Sequence, residues 1–155
     1  MRVIEVEATR THDLRRRVLL VPPRPLELDG DNLPGTFHLG VVDDADELIG
    51  VATFVPTPRG VQLRGMAVDP ASQGGGVGRL LLSAALDRLR SAGVTRVWCN
   101  ARDSAVPFYE RLGFTVTGPG FRHAESGLPH HPMELLLPPP NPRSPREHGW
   151  GGLSR

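Results

Sequence analysis

Apolar residues recur with two different periods along this chain, and the changes between them locate most of its elements. Residues 61–68, Val-Gln-Leu-Arg-Gly-Met-Ala-Val, read as a strand closed by Asp69 and Pro70. Leu81, Ala85 and Leu89, with Leu82 and Leu86 beside them, then form a wide stripe at helical spacing. A helix lying against a sheet needs such a stripe. It is expected over 78–92, with Gly93 as its stop. Residues 94–101 are rich in β-branched and aromatic side chains and read as the next strand. Upstream, apolar runs at 37–42 and 48–55 flank Asp43-Asp44-Ala45-Asp46-Glu47, which predicts an antiparallel hairpin.

The flanks are less regular. Residues 3–6 predict a first strand, and Thr9 or Thr11 offers an N-cap to a helix over 13–20, with Asp13 in its first turn. Pro22, Pro23 and Pro25 end that helix, and 22–36 has no period and reads as a long loop. Residues 105–114 predict a short helix ending at Gly113, capped by Ser104, with Pro107 tolerated in its first turn. A strand over 114–117, a break at Gly118-Pro119-Gly120 and a last strand over 133–137 follow. Residues 139–155 are Pro/Gly-rich and polar, so disorder is expected there, leaving 1–138 as the folded domain. The order β-α-loop-β-β-β-α-β-α-β-β implies an α/β (α+β) chain with a mixed sheet.

Composition excludes more than it selects. A length of 155 residues suits one domain. The net charge of +1, from 18 basic and 17 acidic residues, gives no overall field for nucleic acid or a membrane surface. No apolar run approaches the ~20 residues of a membrane span, and the charged N-terminus is no signal peptide, so a cytoplasmic protein is expected. Cys99 is the sole cysteine, which rules out an internal disulfide or a cysteine-based zinc site and suggests a small buried hydrophobe. The acidic cluster at 43–47 lacks the glycine and distal glutamate of a calcium loop and reads as a solvated turn, so no metal is expected. Arg15-Arg16-Arg17 reads as the wet face of the first helix.

The candidate chemistry begins where the central strand feeds a glycine loop, Gln73-Gly74-Gly75-Gly76-Val77-Gly78, which opens a helix at Arg79. Free N–H groups and the positive end of the helix dipole then converge on one point, and glycines let an anion approach the backbone. A P-loop would need Lys-Ser or Lys-Thr where Arg79-Leu80 stand, and a dinucleotide fingerprint would need glycine at Leu81. The loop instead fits Gln/Arg-x-x-Gly-x-Gly/Ala. It is followed by a strand ending in Asn100 and a helix carrying Phe108-Tyr109-x-x-x-Gly113-Phe114.

These two signatures together resemble the GNAT superfamily of acyl-CoA-dependent N-acyltransferases over residues 1 to 138. The resemblance implies a mostly antiparallel central sheet with helices on both faces and splayed central strands. It implies acetyl-CoA as co-substrate and an amine acceptor, either a small molecule or a peptide, and leaves a homodimer open. Gln73, Gly74, Gly75, Gly76, Val77, Gly78 and Arg79 would hold the pyrophosphate. The backbone of Met66, Ala67 and Val68, with Asn100, would hold the pantetheine arm. Tyr109 would be the general acid, since a phenol with a pKa near ~10 can donate to the departing thiolate, and Phe108 and Phe114 would keep it dry. Residues 22–36 would face the acceptor. The sequence departs from the family at Gln62, where some members carry a glutamate base. An amide cannot take the proton of an ammonium, so histidine, with an unperturbed pKa of ~6.5, becomes the alternative. His130, in Gly127-Leu128-Pro129-His130-His131-Pro132-Met133, is the leading candidate, with His123, Glu125 and His38 behind it. The missing glutamate also motivates a second reading, a non-catalytic acyl-CoA sensor.

Overall fold

In a computed structural model of the protein, residues 1–19, 28–124 and 126–139 are described. Leu20, Pro22, Pro23, Pro25, Glu125 and the tail from residue 140, on which expectations fell, lie outside the described residues. The strands are Arg2–Val6 (β1), Phe37–Val42 (β2), Leu48–Thr57 (β3), Gly60–Val68 (β4), Arg96–Arg102 (β5), Thr115–Val116 (β6), Phe121–Arg122 (β7) and Pro129–Leu136 (β8). The α-helices are His12–Val18 (α1), Val77–Ser91 (α2) and Val106–Arg111 (α3). One mixed sheet runs in the order β1-β2-β3-β4-β5-β8-β6, with β7 attached to β8. Every neighbouring pair is antiparallel except β4 and β5.

Hydrophobic burial explains where the helices sit. The predicted stripe of α2 is buried: Leu81, Leu82, Ala85 and Leu89 are at most 3% exposed. They join Leu39, Ala52, Phe54 and Leu63 of the sheet in one cluster. Each buried leucine contributes roughly 1.5–3 kcal/mol, so α2 is the main clamp on that face. Leu14 of α1 packs instead with Val51 and Ala67 in a separate cluster. Val51 and Ala52 are consecutive on β3 and point to opposite faces. The sheet is therefore covered by helices on both sides, as the sequence implied.

Several local expectations are corrected. Thr11 stands at the N-cap position of α1 but makes no side-chain cap bond; a 3-10 turn over Ala8–Thr11 precedes the helix, and the Thr11 hydroxyl donates back to the Ala8 carbonyl at 2.6 Å. Ser104 does not cap α3, because a second 3-10 turn, Asp103–Ala105, leads into it. The last strand begins at Pro129, not at 133, because β5 pairs with it from Arg102↔His130 onward. Arg16 and Arg17 are wet and pair with Asp13, but Arg15 is fully buried. Its position on the inner side of α1, beside Leu14, turns the guanidinium into the protein.

The opening that makes the site lies between β4 and β5. These strands pair only at Val61↔Val97 and Gln62↔Trp98 and then diverge. On its other edge, β4 keeps to β3 but carries a bulge: Thr53 faces Arg64 and Val51 faces Ala67, so two steps on β3 oppose three on β4. Gly65 sits in that bulge with φ +56°, a left-handed conformation that glycine adopts without strain. A Cβ there would also come within 2.9 Å of the Arg15 Nε, so the bulge and the buried arginine fit against each other.

Candidate active site

Two cavities flank the splayed end of β4. The first, of about 630 Å³, lies at the glycine loop and is lined by Met66, Val68, Gln73, Gly74, Gly76, Val77, Gly78 and Arg79. The second, of about 480 Å³, opens on the other side and is lined by Gln62, Arg64, Asn100, His123, Ser126 and His130 among others. Leu19, Met66, Arg102, Ala105 and Tyr109 line both, so the cavities meet at these residues.

The glycine loop has the geometry its sequence demands. Gly74 and Gly76 hold φ of +82° and +84°, and Gly76 is the N-cap of α2 with no side-chain cap. The first N–H groups of α2 therefore remain available to an anion, with the positive end of the helix dipole behind them. A Cβ on Gly74 or Gly76 would meet no protein atom within 4 Å, so the protein itself does not fill the space beside the loop. Gln73 braces the loop from outside, its amide Nε2 donating to the Val68 carbonyl at 3.1 Å. Gly78 is a close approach: a Cβ would come within 2.9 Å of the Met66 terminal methyl and 3.1 Å of the Phe108 ring. Ala67 is buried in the α1 cluster and Gly75 faces the Ser72 carbonyl, so neither side lines a cavity.

Tyr109 stands where the cavities join. It is 7% exposed, with Phe108 and Phe114 edge-on at 5.2 and 5.4 Å. Its hydroxyl donates to the Met66 sulfur at 3.6 Å, a weak partner that a better acceptor would displace. Burial, with the neighbouring Cys99 adding to it, pushes the phenol above its ordinary range. The group therefore stays protonated at neutral pH and can donate.

The second cavity holds the polar groups. His130 is 6% exposed, and its Nδ1 lies 2.9 Å from the Leu128 carbonyl. A carbonyl only accepts, so in the neutral ring Nδ1 carries the proton and Nε2 keeps a lone pair. Phe121 stacks on this ring at 5.8 Å and His123 lies against it at 5.0 Å. His131, the next residue on β8, turns the other way and pairs with Asp103 at 2.7 Å. Gln62 and Asn100 line this cavity and not the glycine-loop one, which separates Asn100 from the other expected donor ligands. Asn100 also lies inside β5, which continues to Arg102. Cys99 is buried as expected, lines the second cavity, and burial pushes its thiol up to about 12.

His38 is not brought to either cavity. It closes a buried hydrogen-bond ring instead. Arg15 donates to both carboxylate oxygens of Asp31 at 2.6 and 2.9 Å and to the Thr53 hydroxyl at 2.7 Å. Thr53 then contacts His38 Nδ1 at 2.6 Å, and His38 Nε2 reaches the Asp31 carbonyl at 3.1 Å. Burial favours the neutral His38 ring, in which Nε2 donates to the Asp31 carbonyl and Nδ1 accepts from the Thr53 hydroxyl. Asp31 also accepts the Leu28 N–H at 3.0 Å, and Leu28 and Asp29 form a wall of the second cavity. The sequence reading missed Arg15, Asp31 and Arg64. Arg64 was accessible to it, since it stands two residues from Gln62 and so on the same face of β4.

Residues 27–137 match the family profile described as "Acetyltransferase (GNAT) domain". The "Uncharacterized N-acetyltransferase YitI" of Bacillus subtilis (strain 168) is 34% identical over 131 residues, covering 78% of this chain and 85% of the relative. In structure, the chain is similar to the ribosomal-protein-S18-alanine N-acetyltransferase from Escherichia coli, with a TM-score of 0.74 at 21% identity over 93% of this chain and 98% of that one. An aminoglycoside 6'-N-acetyltransferase complexed with coenzyme A gives a TM-score of 0.73 at 17% identity over 91% of this chain and 100% of that one. At those identities the structural likeness establishes the fold alone, while the family rests on the profile and the Bacillus relative. On those two matches, the chain belongs to the GNAT superfamily and is an N-acetyltransferase.

Proposed function

We propose that the protein transfers the acetyl group of acetyl-CoA to a primary amine by direct attack, with the glycine-loop cavity for the donor and the second cavity for the acceptor. The observation that carries this reading is the buried Tyr109 at the junction of the two. The first N–H groups of α2, at Val77, Gly78 and Arg79, would hold the pyrophosphate, and the unpaired edge of β4 at Met66 to Val68 the pantetheine arm. The amine nitrogen bonds to the carbonyl carbon. As the resulting tetrahedral intermediate collapses, the carbon–sulfur bond breaks, Tyr109 gives its proton to the departing sulfur, and the proton that the nitrogen sheds in becoming an amide restores the phenol. The ammonium must first lose a proton, and His130, which lines this cavity, would take it at Nε2. Direct attack is favoured over an acetyl-cysteine step because the thiolate is the nucleophile, and burial keeps Cys99 a thiol. The Gln62 amide would serve as a hydrogen-bonding wall of the acceptor cavity. The coenzyme A in the aminoglycoside enzyme's structure is in keeping with this assignment.

Differential scanning fluorimetry tests the donor. At a hundredfold excess over Kd, a bound ligand stabilises by about 2.7 kcal/mol, and for a chain of this length each kcal/mol raises Tm by roughly 2–4 °C. Acetyl-CoA and CoA are each expected to raise Tm by about 5–11 °C, with NADH inert. A shift with NADH and none with either CoA form removes the assignment. CoA release across a panel of amines then separates catalysis from sensing. No release with any amine, by a protein that binds CoA, restores the sensor reading.

The base is tested separately. His130→Gln is expected to lower kcat/KM by ~10²–10⁴, because an amide cannot take the ammonium proton. A rate that survives the substitution unchanged makes a water chain beside Gln62 the better account.

A further inference from the structure

We infer that the acceptor is a small amine that also carries an anionic group, a carboxylate or a phosphate, bound by Arg64; this rests on the acyl-transfer reading of the same cavity. The second cavity, at about 480 Å³, has room for a small molecule, and in such sites a few placed polar groups set orientation. Its charged lining among the described residues is Arg64, Arg102 and Asp29, two guanidiniums against one carboxylate. Gln62, Asn100 and Ser126 add only neutral donors and acceptors.

The two arginines differ in what they do. Arg102 donates to the Leu19 carbonyl at 2.5 Å at the junction of the cavities, where it braces the end of α1. Arg64 lines the acceptor cavity alone, on the Gln62 face of β4. Its Nη1 donates to the Asp29 backbone carbonyl, and the side chain makes no other hydrogen bond among the described residues. One contact holds the guanidinium at the loop wall of the cavity that Arg64 lines, while most of its donors have no protein partner among the described residues. Such a held planar fork suits a carboxylate or phosphate, which it can grip through two parallel hydrogen bonds. Arg64 also disfavours a polyamine or an aminoglycoside, since an additional ammonium beside it meets like charge inside a cleft that focuses the field.

The test uses the full chain saturated with CoA and isothermal titration calorimetry of matched amines. L-leucine is compared with isoamylamine, phosphoethanolamine with ethanolamine, and spermidine stands for polycations. The anionic member of at least one pair is expected to bind tenfold or more tightly than its partner, and which pair does so distinguishes carboxylate from phosphate. Arg64→Gln is expected to bring that pair to parity, Arg64→Lys to retain part of the difference, and CoA affinity to stay unchanged in both. Parity in the wild type, no binding of either anionic member at millimolar concentration, a preference that survives Arg64→Gln, or tighter binding of spermidine overturns the inference. CoA release from acetyl-CoA is followed with the same amines. Turnover of the uncharged or cationic members alone would keep the acyl-transfer reading while the anion preference fell.

Discussion

Tyr109→Phe is expected to lower kcat by ~10²–10⁴ while the affinity for acetyl-CoA stays nearly unchanged, because the change removes one general acid and little else. The ring keeps its edge-on neighbours Phe108 and Phe114, so the aromatic cluster that seals the junction remains. The hydroxyl's hydrogen bond to the Met66 sulfur, at 3.6 Å, disappears with it and is too weak to matter for the fold. Since the proton is needed only as the thiolate leaves, kcat and kcat/KM should fall together. Burial raises the Tyr109 pKa, so the acid form persists upward in pH, and Tyr109 should impose no loss of rate in the neutral and mildly alkaline range. Steady-state kinetics with a calorimetric Kd for acetyl-CoA checks both halves. A Tyr109→Phe enzyme at full rate removes the acid role.

Asp31→Asn is expected to cost about 3–5 kcal/mol of folding stability, the usual result of removing one partner from a buried ion pair. Arg15 is 0% exposed, and the substitution leaves its charge without the carboxylate that both terminal nitrogens reach. Urea unfolding at neutral pH measures this, and a loss below about 1 kcal/mol, the scale of a surface pair, would show that water reaches the site. The same network predicts acid lability. Burial raises the Asp31 carboxyl, but the hydrogen bonds from Arg15 and the Leu28 N–H, with the charge of Arg15, bring it below the ordinary carboxylate value. Its contribution is complete above the unfolded pKa of ~3.9 and disappears as pH falls through the lower folded value. For His38, burial lowers the pKa, because a charged ring would lose solvation next to Arg15. The unfolded chain then takes up a proton first, so this contribution is full above ~6.5 and declines below it. Stability should therefore begin to fall between neutrality and pH 5, before the carboxylates titrate, and His38→Gln should reduce that early decline.

What the sequence determined by itself is everything written in short-range periods. The stripe of Leu81, Leu82, Ala85, Leu86 and Leu89 specifies α2, and the pattern Gln73 to Gly78 specifies a loop whose glycines adopt positive φ. Both follow from steric and helical rules that act within a few residues, and Tyr109 followed from its place in the Phe-Tyr motif. What the tertiary structure decided is which of several equivalent residues enters the site. Arg15, Arg16 and Arg17 are chemically identical, yet α1 docks with Arg15 inward, where Asp31 is held ready for it. His130 and His131 are adjacent, and only the register of β8 on β5 sends one to the second cavity and the other to Asp103. Pro129 and Pro132 hid that register, because proline disfavours strand pairing locally; the long partner β5 outweighs it. Asn100 and Arg64 line the second cavity where β4 diverges from β5, beside the bulge at Gly65 against which Arg15 packs. Those outcomes are set by contacts between segments far apart in the chain, and no local period encodes them.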